Sequence, residues 1–213
     1  MFKNYFKIAW RNLFRNKGFS ITNLLGLSIG ITCTIFIFLW TQDELNYNKF
    51  HTNYKSIYKI MANRDFNNQI FTDENMVLPL AKELKEKLPQ IKNAVVTTQG
   101  ESHIFSYGDS KLKKTGLTVG GNFFDMFSWK FIKGNAATAI SDPSSIVLTQ
   151  SAAKAFFGNA DPLNKILKVD NDNNMRVSAI VADPPGNSSL QFDFIKAFNY
   201  SDPDVKNAMN EWV

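Results

Sequence analysis

From Gly18 to Gln42 the chain carries no charged side chain, and that stretch constrains everything around it. Within it, residues 21–40 form a twenty-residue apolar run, which as a helix rises about 30 Å, the thickness of a bilayer's hydrocarbon core. Eleven of the twenty are Leu, Ile or Phe. Each favours insertion by roughly 0.3–0.6 kcal/mol near the centre, whereas a central Lys or Asp would cost about 2.5–3.5 kcal/mol. The run contains no such charge. Its polar minority is Asn23, Ser28 and three threonines, whose hydroxyls can bond carbonyls one turn back. A core helix twenty residues long without a polar face would be unusual in a soluble chain of this size. A cleaved signal peptide has an apolar core of about 7–15 residues ending at a small-x-small site. This run instead ends Phe36-Ile37-Phe38-Leu39-Trp40. The reading is an uncleaved transmembrane helix over residues 19–42.

The formal charge of +5 has one source. Lys3, Lys7, Arg11, Arg15 and Lys17 lie in the first eighteen residues, which hold no acid. With those five set aside from 24 Lys and Arg, 19 remain to balance 19 Asp and Glu. A nucleic-acid domain would spread its cations over a folded surface, so nucleic acid is not an expected partner. Cations on one flank and Asp43-Glu44 on the other place the N-terminus in the cytoplasm and residues from about 43 outside. Lys3, Lys7, Arg11 and Arg15 recur every four residues, while Phe2, Phe6, Ala9, Trp10 and Leu13 share another helical face. Residues 1–18 therefore read as an amphipathic helix lying in the inner-leaflet interface. Lys3, Lys7, Trp10, Arg11 and Arg15 anchor it there, and Trp40 anchors the outer interface. Gly26 and Gly30, with Ser28 between them, form a GxxxG and are candidates for contact with another helix.

Residues 43–213 contain no second run long enough to span, and 14% aromatic content excludes a disordered chain. Alternation and β-branched runs predict strands at 57–62, 94–98, 113–119, 146–149 and 176–181, and helices at 75–88 and 151–157. Turns are expected at Gly120-Gly121, Asp142-Pro143, Asp161-Pro162, 170–174 and 183–186. The interleaving without strict alternation reads as an α+β extracytoplasmic domain. The chemical inventory is thin. Cys33 is the single cysteine, which excludes an intramolecular disulfide framework, and it sits inside the span, where a thiolate would be costly, so it reads as neither nucleophile nor metal ligand. His51 and His103 stand alone, with a surface role as the default; His51 could join Asp43 and Glu44 in a charged patch near the membrane. Asp142, Asp161, Asp183 and Asp202 precede prolines and read as turn residues. There is no phosphate loop and no HExxH, so no catalytic, cofactor-binding or metal residue is expected.

Several segments, taken in order, resemble one family. They are residues 2–18, including Trp10-Arg11-Asn12-Leu13-Phe14-Arg15, then 23–30, 43–51, 57–60, 122–128 and 145–149. Phe156-Phe157-Gly158 with Asp161-Pro162 follows, and Asp183-Pro184-Pro185-Gly186-Asn187-Ser188-Ser189 through Phe194 closes the set. Together they resemble the N-terminal part of a MacB/FtsX-like ABC transporter permease of the Bacteroidetes type. The resemblance implies an interfacial helix, one span and a MacB-like periplasmic core domain in the bacterial inner membrane, followed by three further spans. It implies ATP on a separate ATPase subunit, hence no cofactor here, and a second permease subunit in a dimer, with other envelope proteins as further partners. It also implies an export or mechanotransmission role without enzymatic activity. The present sequence stops at Val213 with one span, so the domain over 43–213 is expected to be incomplete at its C-terminus. The alternative reading is a single-anchor extracytoplasmic ligand-sensing domain of a membrane receptor.

Overall fold

Helix α1 (Phe2–Arg15) and helix α2 (Lys17–Leu45) occupy the start of the chain, separated by Asn16. At 29 residues α2 is about 44 Å long, outlasting the charge-free stretch at both ends. Its threonine hydroxyls donate to carbonyls four residues back, Thr22 to Gly18, Thr32 to Ser28, Thr34 to Gly30 and Thr41 to Ile37. That leaves no side-chain donor of these residues facing lipid unsatisfied. The computed structural model describes residues 2–98, 100–170 and 173–210, and the chain divides into two compact units, Met1–Tyr47 and Asn48–Val213.

The second unit begins with turns and a hairpin of β1 (Ala62–Phe66) and β2 (Gln69–Asp73). Asn67 and Asn68, at φ 54° and 60°, supply the two left-handed positions that a two-residue type I′ loop requires. The strand expected at 57–62 begins only at Ala62, because residues 57–61 have no strand beside them to complete a ladder. Helix α3 (Leu80–Lys87) is shorter than the 75–88 predicted. Pro79 has no N–H to bond the carbonyl four residues back, and it disfavours helical backbone at Leu78. Residues 94–98 lie against the end of a later strand through Thr98 N–H to Thr118 C=O and Gly120 N–H to Val96 C=O, one bridge and no full strand.

Strands β3 (Glu101–Tyr107) and β4 (Ser110–Val119) form a hairpin, and α4 (Phe123–Met126), β5 (Phe131–Lys133) and α5 (Ala136–Ala139) follow. Strand β6 (Ser145–Thr149) runs directly into α6 (Gln150–Phe157). Thr149 Oγ1 caps that helix by accepting from Ala152 N–H at 3.2 Å, and Gly158 closes it at φ 59°. Strands β7 (Ile166–Val169), β8 (Asn173–Val181) and β9 (Phe194–Ala197), then α7 (Pro203–Asn210), complete the unit. The turn expected at 170–174 falls partly on residues 171 and 172, outside the described residues; β7 and β8 pair antiparallel on either side of it.

The sheet runs β5-β8-β6-β9-β4-β3-β7, and β7 also pairs with β8, so six strands close into a hydrogen-bonded ring. Pairs β4–β9 and β6–β8 are parallel and the rest antiparallel, a mixed α+β architecture as expected. Adjacent strand residues feed opposite cores. Ile146, Leu148 and Phe194 join α6 on one face, whereas Val147, Ile195 and Val181 join Phe123 and Trp129 on the other. A bulge at Ser178 switches the parity of β8, sending Val177 to the first core and Ala179 to the second. The extra residue is held by its hydroxyl, which donates to Ala139 C=O at 2.5 Å and Ile146 C=O at 3.1 Å.

Candidate functional site

The residues singled out in the sequence as membrane contacts lie in the first unit. On α1, Phe6 stacks on Trp10 at 6.1 Å between ring centroids, and Trp10 meets Phe14 at 5.3 Å. These rings form a ladder alongside the Lys3, Lys7, Arg11, Arg15 stripe. On α2, Gly26 and Gly30 line one shallow apolar groove with Thr34, and nothing comes within 4 Å of where their Cβ atoms would sit. Ser28 is absent from that groove: two residues on from Gly26, it lies about 200° round the helix. Its carbonyl instead receives the Thr32 hydroxyl. Trp40 is exposed near the far end of α2.

The second unit has a built root immediately after the span. Asn48, at φ 59°, donates its N–H to Asn187 C=O at 2.9 Å. Its Oδ1 accepts from Ser189 N–H at 2.8 Å. Three residues on, His51 is 3% exposed. This corrects the expectation of a surface histidine and of a charged patch with Asp43 and Glu44: its ring edge packs on Phe127 and Trp129, each at 5.1 Å. Nδ1 accepts from Ser128 N–H at 3.1 Å, and burial pushes its pKa below the ordinary value. Thr52 N–H donates to Ser128 Oγ at 3.0 Å, which itself donates to Thr52 Oγ1. Phe50 lies 5.3 Å from Trp129, and Trp129 meets Phe192 at 4.9 Å. Tyr54 is over a third exposed, beside Lys55. Residues 48–52, 127–129 and 187–192, far apart in sequence, thus converge on one aromatic and polar knot.

His103 is the centre of a second cluster and also departs from a bare surface role, with 22% of its side chain exposed. Asp170 Oδ2 accepts from Nδ1 at 2.5 Å, leaving Nε2 to accept from Lys196 Nζ at 3.1 Å. Asp170 Oδ1 accepts from Ile104 N–H, and that bond, with His103, holds its carboxyl below the usual range. Burial works against the Glu101 carboxylate, but Thr118 Oγ1 at 2.7 Å and the Lys196 charge outweigh it and hold it ionised. The cluster is held together by its own hydrogen bonds, which suits a sheet surface beside Phe105 and Phe194. Among the described residues no group of His, Cys, Asp and Glu converges as a metal site. Three of the four Asp-Pro aspartates are turn residues as read: Asp142, Asp161 and Asp202 each accept from the N–H two residues on. Asp183 instead binds the N–H and hydroxyl of Ser151 on α6.

A span-length apolar helix leading into a rooted mixed α+β domain defines a membrane-anchored domain protein. The chain belongs to the family described as the MacB-like periplasmic core domain, which matches residues 20–205. That family is a transporter-permease domain and not an enzyme class. Among curated proteins nothing matches the chain. Among solved structures it is similar to a domain of a protein described as a permease from Porphyromonas gingivalis, with 21% identity, TM-score 0.59, and coverage of 68% of this chain and 61% of that one. It is also similar to the extracellular domain of the noncanonic ABC-type transporter YknZ from Gram-positive bacteria (17% identity, TM-score 0.47, 58% of this chain, 63% of that one). A third is the periplasmic region of MacB from Actinobacillus actinomycetemcomitans (21% identity, TM-score 0.43, 57% of this chain, 54% of that one). The chain spans less than two thirds of the length of each, and at these identities the first likeness shows the fold alone.

Proposed function

We propose that this chain is the N-terminal, membrane-anchored part of a permease subunit of an ABC-type transporter, acting by mechanical transmission in export or signalling. In this reading α1 lies in the cytoplasmic interface of the inner membrane, α2 crosses it, and residues from about 43 are periplasmic. A separate ATPase subunit hydrolyses ATP, the permease works as a dimer, and Gly26 and Gly30 meet a neighbouring helix. The chain itself performs no catalysis.

The observation that supports the reading best is the root. Between the end of α2 at Leu45 and Asn48, which bonds to Asn187 and Ser189, lie only Asn46 and Tyr47. A pull along the chain there is delivered to Asn187, Ser189 and Ser128 rather than dissipated in a slack linker. The test is a Gly-Ser insert between Tyr47 and Asn48 in the complete transporter. Each doubling of a surface loop costs only about 0.6 kcal/mol, so the fold should survive. ATP hydrolysis should continue while transport, or the rescued phenotype of a deletion strain, is lost. Undiminished transport would show that force does not pass through this connection.

A further inference from the structure

We infer that α1 is an anionic-lipid binding element, holding phosphate-bearing headgroups along Lys3, Lys7, Arg11 and Arg15; the inference rests on the interfacial placement of α1 proposed above. No residue of α1 is buried within the chain. None of the four cations pairs with an acid among the described residues, and no acid occurs before Asp43. Successive members of the stripe are about 6 Å apart along the axis, so the four like charges, over about 18 Å, repel one another until counter-charge is supplied. The side of the helix next to them is aromatic, with Phe6, Trp10 and Phe14 stacked yet 69%, 57% and 58% exposed.

An acidic protein surface could neutralise the stripe but would leave the ring ladder to find a second, apolar partner. A lipid interface supplies both layers in the required order, acyl chain under the rings and phosphate at the tips of the long cationic stems. The helix is also held at that depth. Hydrogen bonds from Asn16 N–H to Asn12 C=O (3.1 Å) and from Ser20 N–H to Asn16 C=O (3.0 Å) tie it to the start of the span. Net-neutral lipids satisfy the rings but not the charge. Near an anionic leaflet each cation gains about fivefold in occupancy. The chain is therefore expected to gather anionic lipid around α1.

The test uses the 213-residue chain in phosphatidylcholine nanodiscs, with Cys33→Ala and Asn4→Cys and a bimane dye on the new thiol. A minority of the lipid is brominated phosphatidylglycerol or, in a parallel sample, brominated phosphatidylcholine. Quenching by the glycerol lipid should exceed that by the choline lipid severalfold. The excess should vanish in the variant Lys3→Gln, Lys7→Gln, Arg11→Gln, Arg15→Gln, and in 1 M salt, where the screening length falls to about 3 Å. Choline-lipid quenching should persist in both, carried by the aromatic side. Equal quenching by the two lipids would overturn the inference and leave the stripe to an acidic protein. A glycerol-lipid preference that survives the four substitutions would overturn it as well. No quenching by either lipid would instead remove the interfacial placement on which it rests.

Discussion

Replacing His51 with Asn should flatten the dependence of stability on pH between 7.5 and 5.5. The substitution removes the titrating ring from the root but keeps an acceptor, the amide oxygen, for the Ser128 N–H. In the native chain His51 is 3% exposed, its Nδ1 already accepts that N–H, and its other neighbours are the rings of Phe50, Phe127 and Trp129. A proton on Nδ1 would set donor against donor, Nδ1–H against the Ser128 N–H. Burial accordingly holds the folded pKa below the ordinary 6.5, which the unfolded chain regains. Between those two values the unfolded state binds the extra proton. The stability contributed by neutral His51 is therefore complete well above pH 6.5 and is lost as pH falls, by at most about 1.4 kcal/mol per pH unit. Urea unfolding of the 213-residue chain in detergent, read by tryptophan fluorescence, measures this directly, because Trp129 lies 5.1 Å from the His51 ring. Between pH 6.5 and 5.5 the native chain should lose more stability than the His51→Asn variant, by up to about 1 kcal/mol. Contributions from Glu101 and Asp170, whose depressed values affect the acid limb, cancel in that difference. Parallel curves for the two proteins would refute the idea that the fold imposes neutrality on His51.

Two further substitutions test the packing of the second unit. Gly116→Ala places a Cβ 2.3 Å from Phe194 C=O and 2.6 Å from its ring, so β4 and β9 must part; a loss of about 1–3 kcal/mol is expected in the same urea assay, and an unmoved midpoint would contradict it. Thr149→Ala removes the cap of α6 and should cost about 1 kcal/mol, most of it restored by Thr149→Ser; equal losses for Ala and Ser would mean that the cap bond is not the stabilising contact.

Some of this architecture is legible in the residues themselves. The length of α2, the carbonyl-bonded threonines along it, the close of α6 at Gly158 and three of the Asp-Pro turns all depend on partners within four residues, or on the surrounding lipid. The α+β class also follows from local patterning. The strand set does not. Residues 62–66 and 69–73 read as polar and irregular, yet they pair because Asn67 and Asn68 accept left-handed backbone. Residues 57–61 carry the alternation of a strand and form none, because no neighbour lies alongside. Local preference proposes a strand, but pairing with another segment decides whether it exists.

The same distinction separates the two candidate sites. The cationic stripe and the apolar span are fixed by the sequence, because helical geometry alone brings every fourth residue to one side and the solvent supplies the remainder of the interaction. The root is fixed only by the tertiary structure. Nothing in Phe50-His51-Thr52 marks the histidine as buried; that depends on Ser128, 77 positions away, and the anchoring of Asn48 depends on Ser189, 141 positions away. A single chain has no periodicity that relates residues so widely spaced. They meet because the closed ring of strands and the cores on its two faces bring the segments that follow β4 and β8 to residues 48–52, within the second unit.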